Sequence, residues 1–312
     1  VLMILSGTVV ALAPNYLTFM LGRALIGVAI GGFWSLSAAT AMRLVPTAQV
    51  PRALAIVNGG NALATVIAAP LGSFLGALIG WRGAFFCVVP VAVAAGLWLL
   101  FSLPAIKVQG QAKTGNVLRL FKQTPVALGM LAISGFFMGQ FMLFTYLRPF
   151  LESATRVSTS TLSLLLLVLG LAGLAGTVLI ERVLKNRLYP VLIAIPLIMA
   201  VIAVALVAFG GSPVTTAVLL GCWGFVATAA PVGWWTWLAH VLPDDAEAGG
   251  GLMVAIIQLA ITAGATVGGV AFDHSGYQAT FELSAATLGV AALLAGLAAR
   301  HSAPGLMASR PT

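Results

Sequence analysis

Apolar residues run along this chain in long blocks separated by brief polar punctuation: 1–13, 17–44, 52–79, 82–103, 125–150, 160–184, 189–210, 214–242, 250–272 and 279–299. A helix needs about 20 apolar residues to cross the ~30 Å hydrocarbon core of a bilayer. Every block after the first reaches that length. In lipid each backbone N–H and C=O must be bonded within the protein, so blocks of this length predict helices. The pattern predicts an all-α, polytopic membrane helical bundle of about ten helices. The first block opens at Val1 in mid-run, with no Met and no basic n-region. It reads as the end of a helix, and a signal peptide is not expected.

The longest polar stretch, 104–124, carries Lys107, Lys113, Arg119 and Lys122. It divides four blocks from six. The expected organisation is an incomplete N-terminal helical half over 1–103, a linker over 104–124 and a six-helix half with a tail over 125–312. Two further helices at the front would make it six plus six.

Charge adds topology. If the blocks cross alternately, one side carries Arg43, Arg52, Lys107, Lys113, Arg119, Lys122, Arg182, Lys185, Arg187, Arg300 and Arg310. The other carries only Arg82, Arg148 and Arg156. The positive-inside rule places the first side, with the linker and the C-terminal tail, in the cytoplasm of a multi-pass inner-membrane protein. The net charge of +8 is thereby a loop property, and nucleic acid is not an expected partner. Only 7% of residues are charged, 61% are hydrophobic, and the mean hydropathy is +1.09. Cys87 and Cys222 fall inside apolar blocks and read as packing residues. His240, His274 and His301 share no ligand spacing. No catalytic residue, metal or cofactor is expected.

The two halves echo each other. Gly27 and Gly224 stand 197 positions apart, as do Pro46 and Pro243. Gly80-Trp81-Arg82 is matched by Gly276-Tyr277-Gln278 at 196, and Asn58 by Gln258 at 200. Repeated halves are a mark of transporters.

Arg23 is the one charge well inside a block, in Leu21-Gly22-Arg23 followed by Gly27 and Gly31-Gly32. An intramembrane Arg faces a bundle interior or cavity, or else snorkels to the headgroups. The string resembles the fourth-helix motif of major facilitator efflux carriers. Ala69-Pro70-Leu71-Gly72-Ser73 resembles their fifth-helix antiporter motif, with Ala69 and Ser73 where glycines are usual, and Gly80-Trp81-Arg82-Gly83 resembles the loop that follows. Longer strings are similar to the bacterial purine ribonucleoside efflux carriers: Gly31-Gly32-Phe33-Trp34, Gly139-Gln140-Phe141, Phe144-Thr145-Tyr146, Pro231-Val232-Gly233-Trp234-Trp235 and Val254–Ala260. The resemblance implies the major facilitator fold and alternating access, with residue 1 in the third of twelve helices. The family's best-known loop, between helices two and three, would then precede Val1. It implies a monomeric secondary carrier whose partners are a purine ribonucleoside, protons and the lipid bilayer.

Several polar residues interrupt the apolar blocks at helical spacing. Asn58, Asn61 and Thr65 form one stripe, with Gly72 further along it beside Pro70. The stripe either lines a cavity or bonds helices together. Phe136, Gln140, Phe144 and Arg148 recur every four residues, a slowly turning face suited to a neutral heterocycle, unless the rings face lipid and Arg148 anchors at the interface. Trp223, Trp234 and Trp237 fall within about 60° of one another on an ideal helix, though Pro231 should kink it. Trp237 fits an interfacial belt, whereas Trp234 lies deeper as a ring-stacking candidate. Trp34 shares the face of Arg23, and Gln258, Thr262 and Thr266 repeat the polar stripe. The candidate substrate contacts are Trp34, Asn58, Asn61, Gln140, Phe144, Tyr146, Trp234 and Gln258. Those for coupling or gating are Arg23, Pro70, Gly72 and Arg148.

No Asp or Glu lies deep in a block, so the chain shows no group to exchange a proton with substrate, and family resemblance would put one in the first helix. The chain as given is therefore not expected to perform proton-coupled export alone. The reading is a carrier exporting purine ribonucleosides in exchange for protons. Its rivals are an efflux carrier for another small polar solute, such as a sugar, amino acid or drug, and a non-transporting membrane sensor or scaffold.

Overall fold

The computed structural model describes residues 1–46, 50–103, 117–242 and 245–307; the side chains of Asn58, Thr65 and Pro70 lie outside the described residues. All regular structure among the described residues is helical. The chain divides into two compact units, Val1–Thr114 and Gly115–Thr312.

The first unit holds α1 (Leu2–Ala11), α2 (Tyr16–Leu44), α3 (Val50–Phe86) and α4 (Val88–Ser102). Small residues set the packing, since apolar helices in lipid gain no hydrophobic drive to associate and depend on close contact and interhelical hydrogen bonds. Gly22 of α2 lies so close to α1 that a Cβ there would stand 2.6 Å from Val10 Cγ2. That approach lets the buried Ser6 hydroxyl donate to the Gly22 carbonyl at 2.6 Å. α2 begins where Asn15 Oδ1 accepts from the Thr18 N–H at 2.9 Å, an N-cap.

The second unit follows with a short 3-10 helix (Val117–Lys122), α5 (Thr124–Phe144), α6 (Leu147–Ser153), α7 (Thr159–Phe209), α8 (Pro213–Ala227), α9 (Ala230–Val241) and α10 (Ala246–Met307). Two of these helices are far too long for one crossing. α7 has 51 residues and α10 has 62, about 77 and 93 Å at 1.5 Å per residue. Each is two rods joined without a loop, broken at Arg187 (φ −139°, ψ 41°) and Gly276 (φ 76°, ψ −173°). α3 turns the same way at Gly80 (φ 74°, ψ 166°). Divided there, with the piece of α3 beyond Gly80 joined to α4, and with α5–α6 and α8–α9 each taken as one interrupted span, the described residues form ten rods that match the ten apolar blocks.

The internal repeat is structural as well as sequential. Asn15 and Ser212, 197 apart, both cap a helix: Ser212 Oγ accepts from the Thr215 N–H at 3.4 Å. The Ala13 and Gly210 carbonyls, also 197 apart, each accept a side-chain donor from elsewhere in their unit, Arg82 at 3.0 Å and Thr155 at 2.7 Å.

The core of the second unit is aromatic. Phe136, Phe150, Trp223, Trp234, Trp237 and Phe281 are each no more than 2% exposed. α5 lies against both rods of α10. Gly264 and Gly268 sit beneath the Met138 and Met142 backbone, and the Ser284 hydroxyl donates to the Gly139 carbonyl at 2.6 Å.

Candidate functional site

In the first unit, Arg23 is exposed on α2, with its guanidinium 5.7 Å from the centre of the Phe85 ring. That distance is a cation–π contact. Trp34 is half-buried and edge-on to Phe33 at 5.6 Å. Asn61 is exposed, and a Cβ on Gly72 would meet nothing within 4 Å.

In the second unit the stripe of Phe136, Gln140, Phe144 and Arg148 is not one continuous face. Phe136 is fully buried in the core, Gln140 is half-buried, and Phe144 and Arg148 are exposed. Residues four apart advance about 40° around a helix at each step, so the stripe winds from core to surface. Arg148 pairs with Glu152 at 2.8 Å, and Phe144 is edge-on to Phe141 at 5.9 Å. Gln140 has the telling position. Its Oε1 is buried and has no hydrogen-bond partner among the described residues. Leaving a buried acceptor unpaired costs about 1–3 kcal/mol.

Tyr146 is committed to structure. Its hydroxyl donates to the Ala265 carbonyl at 2.9 Å, and its ring stacks on Phe272 at 5.2 Å. It fixes the end of the α5 span against α10. Gln258 is half-buried on the first rod of α10, and Thr262 and Thr266 turn their hydroxyls back to the carbonyls four residues before them.

The tryptophans differ from expectation. Trp237 does not lie in an interfacial belt. It is fully buried, seated over Gly129 of α5, where any Cβ would clash with its ring. Its Nε1 is also buried without a partner among the described residues. Trp234 packs edge-on to Trp237 at 5.9 Å and is 2% exposed, so no face of its ring is open for stacking. The absent side chain at Gly129 leaves the room that the Trp237 ring occupies, and Trp234 packs against that ring.

The expected kink at Pro231 is a full interruption. α8 ends at Ala227 and α9 starts at Ala230. Pro231 has no N–H to continue the ladder. The freed backbone is held by two threonines that sequence reasoning did not single out. Thr228 donates to the Gly173 and Gly224 carbonyls, each at 2.8 Å. Thr177 of α7 donates to the Thr228 carbonyl at 3.2 Å and to Gly173 at 3.0 Å. At this crossing Gly176 and Gly224 leave α7 and α8 in backbone contact. Hydroxyls on a glycine-rich neighbour, facing a Pro-broken span, are the signal that marks such a clamp in a sequence. Interrupted spans whose freed groups are met by Ser and Thr are tolerated in membranes and occur where transporters bind and move.

Apolar rods long enough to span a bilayer, repeated in two halves and with two spans interrupted, define a polytopic membrane protein of the build that carriers use. The sequence profile of the Major Facilitator Superfamily matches residues 1–265, and the chain belongs to that family. It is a multi-pass inner-membrane transporter, not an enzyme. It is 61% identical over 304 residues to the transcription regulatory protein OpdE of Pseudomonas aeruginosa, covering 96% of this chain and 76% of that one. It is 40% identical over 294 residues to the purine ribonucleoside efflux pump NepI of Escherichia coli K12, covering 94% of this chain and 74% of that one. The NepI of Shigella flexneri matches to the same extent.

Proposed function

We propose that this protein exports purine ribonucleosides in exchange for protons by alternating access, with the loops 45–51, 104–124 and 185–188 and the C-terminal tail in the cytoplasm. The observation that carries this reading is the 40% identity, over 94% of the chain, to proteins named purine ribonucleoside efflux pumps. Gln140 supports it. A buried amide oxygen without a donor suits a solute that brings its own N–H or O–H, as a nucleoside does. In this reading Gln140, Phe144, Trp34, Asn58, Asn61 and Gln258 contact the solute. Tyr146 and Trp234 hold the elements that present Gln140. Arg23, Pro70, Gly72 and Arg148 serve coupling or gating.

The name of the Pseudomonas relative favours a second reading, in which the protein affects transcription. A carrier does so by setting the internal level of a solute that a regulator senses. Everted membrane vesicles, from cells expressing the protein from its own gene, separate the possibilities. An imposed pH gradient, acidic inside, should drive labelled inosine or adenosine into the lumen. Accumulation of a sugar or amino acid instead would replace the substrate. No accumulation of any of these solutes would favour a sensor.

A further inference from the structure

Glu282 is a carboxylate inside an apolar rod, and it faces outward. It lies on the second rod of α10, about 9 Å along the helix from the corner at Gly276. The residue is exposed, whereas carboxylates within membrane spans usually turn inward and pair. Among the described residues it joins no ion pair. Arg148 is held by Glu152 at 2.8 Å. The sequence has no Lys or Arg between Arg187 and Arg300. Neither the second rod of α7 nor its own rod, up to Arg300 at the far end, offers Glu282 a cation. Beside it the two rods part. Ala200, Val201, Val204, Ala208 and Phe209 of α7 and Ala285 of α10 line an apolar cavity of about 490 Å³. Glu282 and Ala285 are i, i+3 neighbours, so the carboxylate stands at the rim. A Cβ on Gly289, one turn further, would meet nothing within 4 Å, while one on Gly296 would stand 3.8 Å from Ile193 Cδ1. The seam between the rods is closed at Gly296 and opens toward Glu282.

The repeat supplies an internal comparison. At an offset of 197 Val204 corresponds to Gly7 of α1, and at 196 Ala285 corresponds to Val89 of α4 and Glu282 to Phe86. In the first unit that seam is filled. Val89 lies over Gly7, where a Cβ would stand 2.8 Å from Val89 Cγ2. One seam is closed and uncharged, while the other is open and carries a carboxylate at its edge.

We infer that the open seam binds a phospholipid with a primary ammonium headgroup, its ammonium on the Glu282 carboxylate and an acyl chain in the groove between α7 and α10. The ammonium supplies the missing counter-charge together with N–H donors, and charge-assisted hydrogen bonds of this kind are the strong ones. A choline headgroup brings the charge without the donors, and a glycerol headgroup brings no positive charge. A second copy of the chain docking through these rods would cover the groove but bring no cation to Glu282.

The test is native mass spectrometry of the full chain with phosphatidylethanolamine, phosphatidylcholine or phosphatidylglycerol. One phosphatidylethanolamine should be retained in preference to the other two. Glu282→Gln should weaken its retention about tenfold, the worth of one hydrogen bond to a charged group, and leave phosphatidylcholine and phosphatidylglycerol as they were. Ala208→Phe, which fills the exposed end of the groove, should weaken retention of phosphatidylethanolamine with Glu282 in place. Phosphatidylethanolamine carrying a photoactivatable acyl chain, on the unmodified chain, should label 200–209 and 282–289 but not their counterparts 3–12 and 86–93. Equal retention of phosphatidylethanolamine and phosphatidylcholine, unaltered retention by Glu282→Gln, labelling at both seams or neither, or a dimer crosslinked through 200–209 would overturn the assignment.

Discussion

Gly80 and Gly276 stand 196 residues apart and share one backbone conformation, φ 74° and ψ 166° against φ 76° and ψ −173°. Each turns one rod into the next without a loop. This φ/ψ region is open almost only to glycine, and a side chain there costs of order 1–3 kcal/mol. Gly80→Ala and Gly276→Ala should each lower the thermal unfolding midpoint of the detergent-solubilised protein by several degrees. Gly96→Ala, at a helical position with nothing within 4 Å of the added Cβ, should leave it in place.

Gly129 and Trp237 form a notch and its filler. Gly129→Ala should destabilise the second unit by about 1–3 kcal/mol, the usual cost of overpacking. Trp237→Leu made in the same chain should return part of that loss. Unfolding midpoints of both singles and the double give the coupling, and simple additivity would disprove the contact.

The clamp at the broken span should behave as a unit. Thr177→Val and Thr228→Val each remove hydroxyl bonds of the kind worth ~0.6 kcal/mol on average in membranes. The pair should lose less than the sum of the singles, because Thr177 bonds the backbone that Thr228 positions. Protection of the amides around 228–232 in hydrogen exchange should fall in either single variant.

Orientation is open to a direct labelling test. In a background lacking Cys87 and Cys222, Lys113→Cys and Ala154→Cys should react with an impermeant thiol reagent from opposite sides of the membrane. Reaction from the same side would contradict the alternating crossing.

Helix count and positions were legible in the sequence because spans in lipid need continuous apolar length, and ten blocks became ten rods. The repeat was legible at Gly80-Trp81-Arg82 and Gly276-Tyr277-Gln278, though not that both glycines carry positive φ. The site was less legible. Trp237 read as interfacial because its distance from the helix end is local information, whereas its partner Gly129 is 108 residues away. The drift of the i, i+4 stripe was legible, but not that it carries Phe136 into the core and Arg148 to the surface, because that depends on which helices pack against α5. Tyr146 read as a substrate contact, but its hydroxyl is engaged by Ala265, a backbone acceptor that no side-chain pattern reveals.

Nucleoside counterflow with the Gln140→Leu variant tests the central claim most directly. In vesicles holding the protein expressed from its own gene and preloaded with unlabelled inosine, external labelled inosine should overshoot equilibrium. Gln140→Leu, which removes the buried amide, should raise the half-saturating concentration by tens-fold, corresponding to about 1–3 kcal/mol, at similar protein abundance. Absence of an overshoot with the unmodified protein, or an unchanged half-saturating concentration in the variant, would contradict the account.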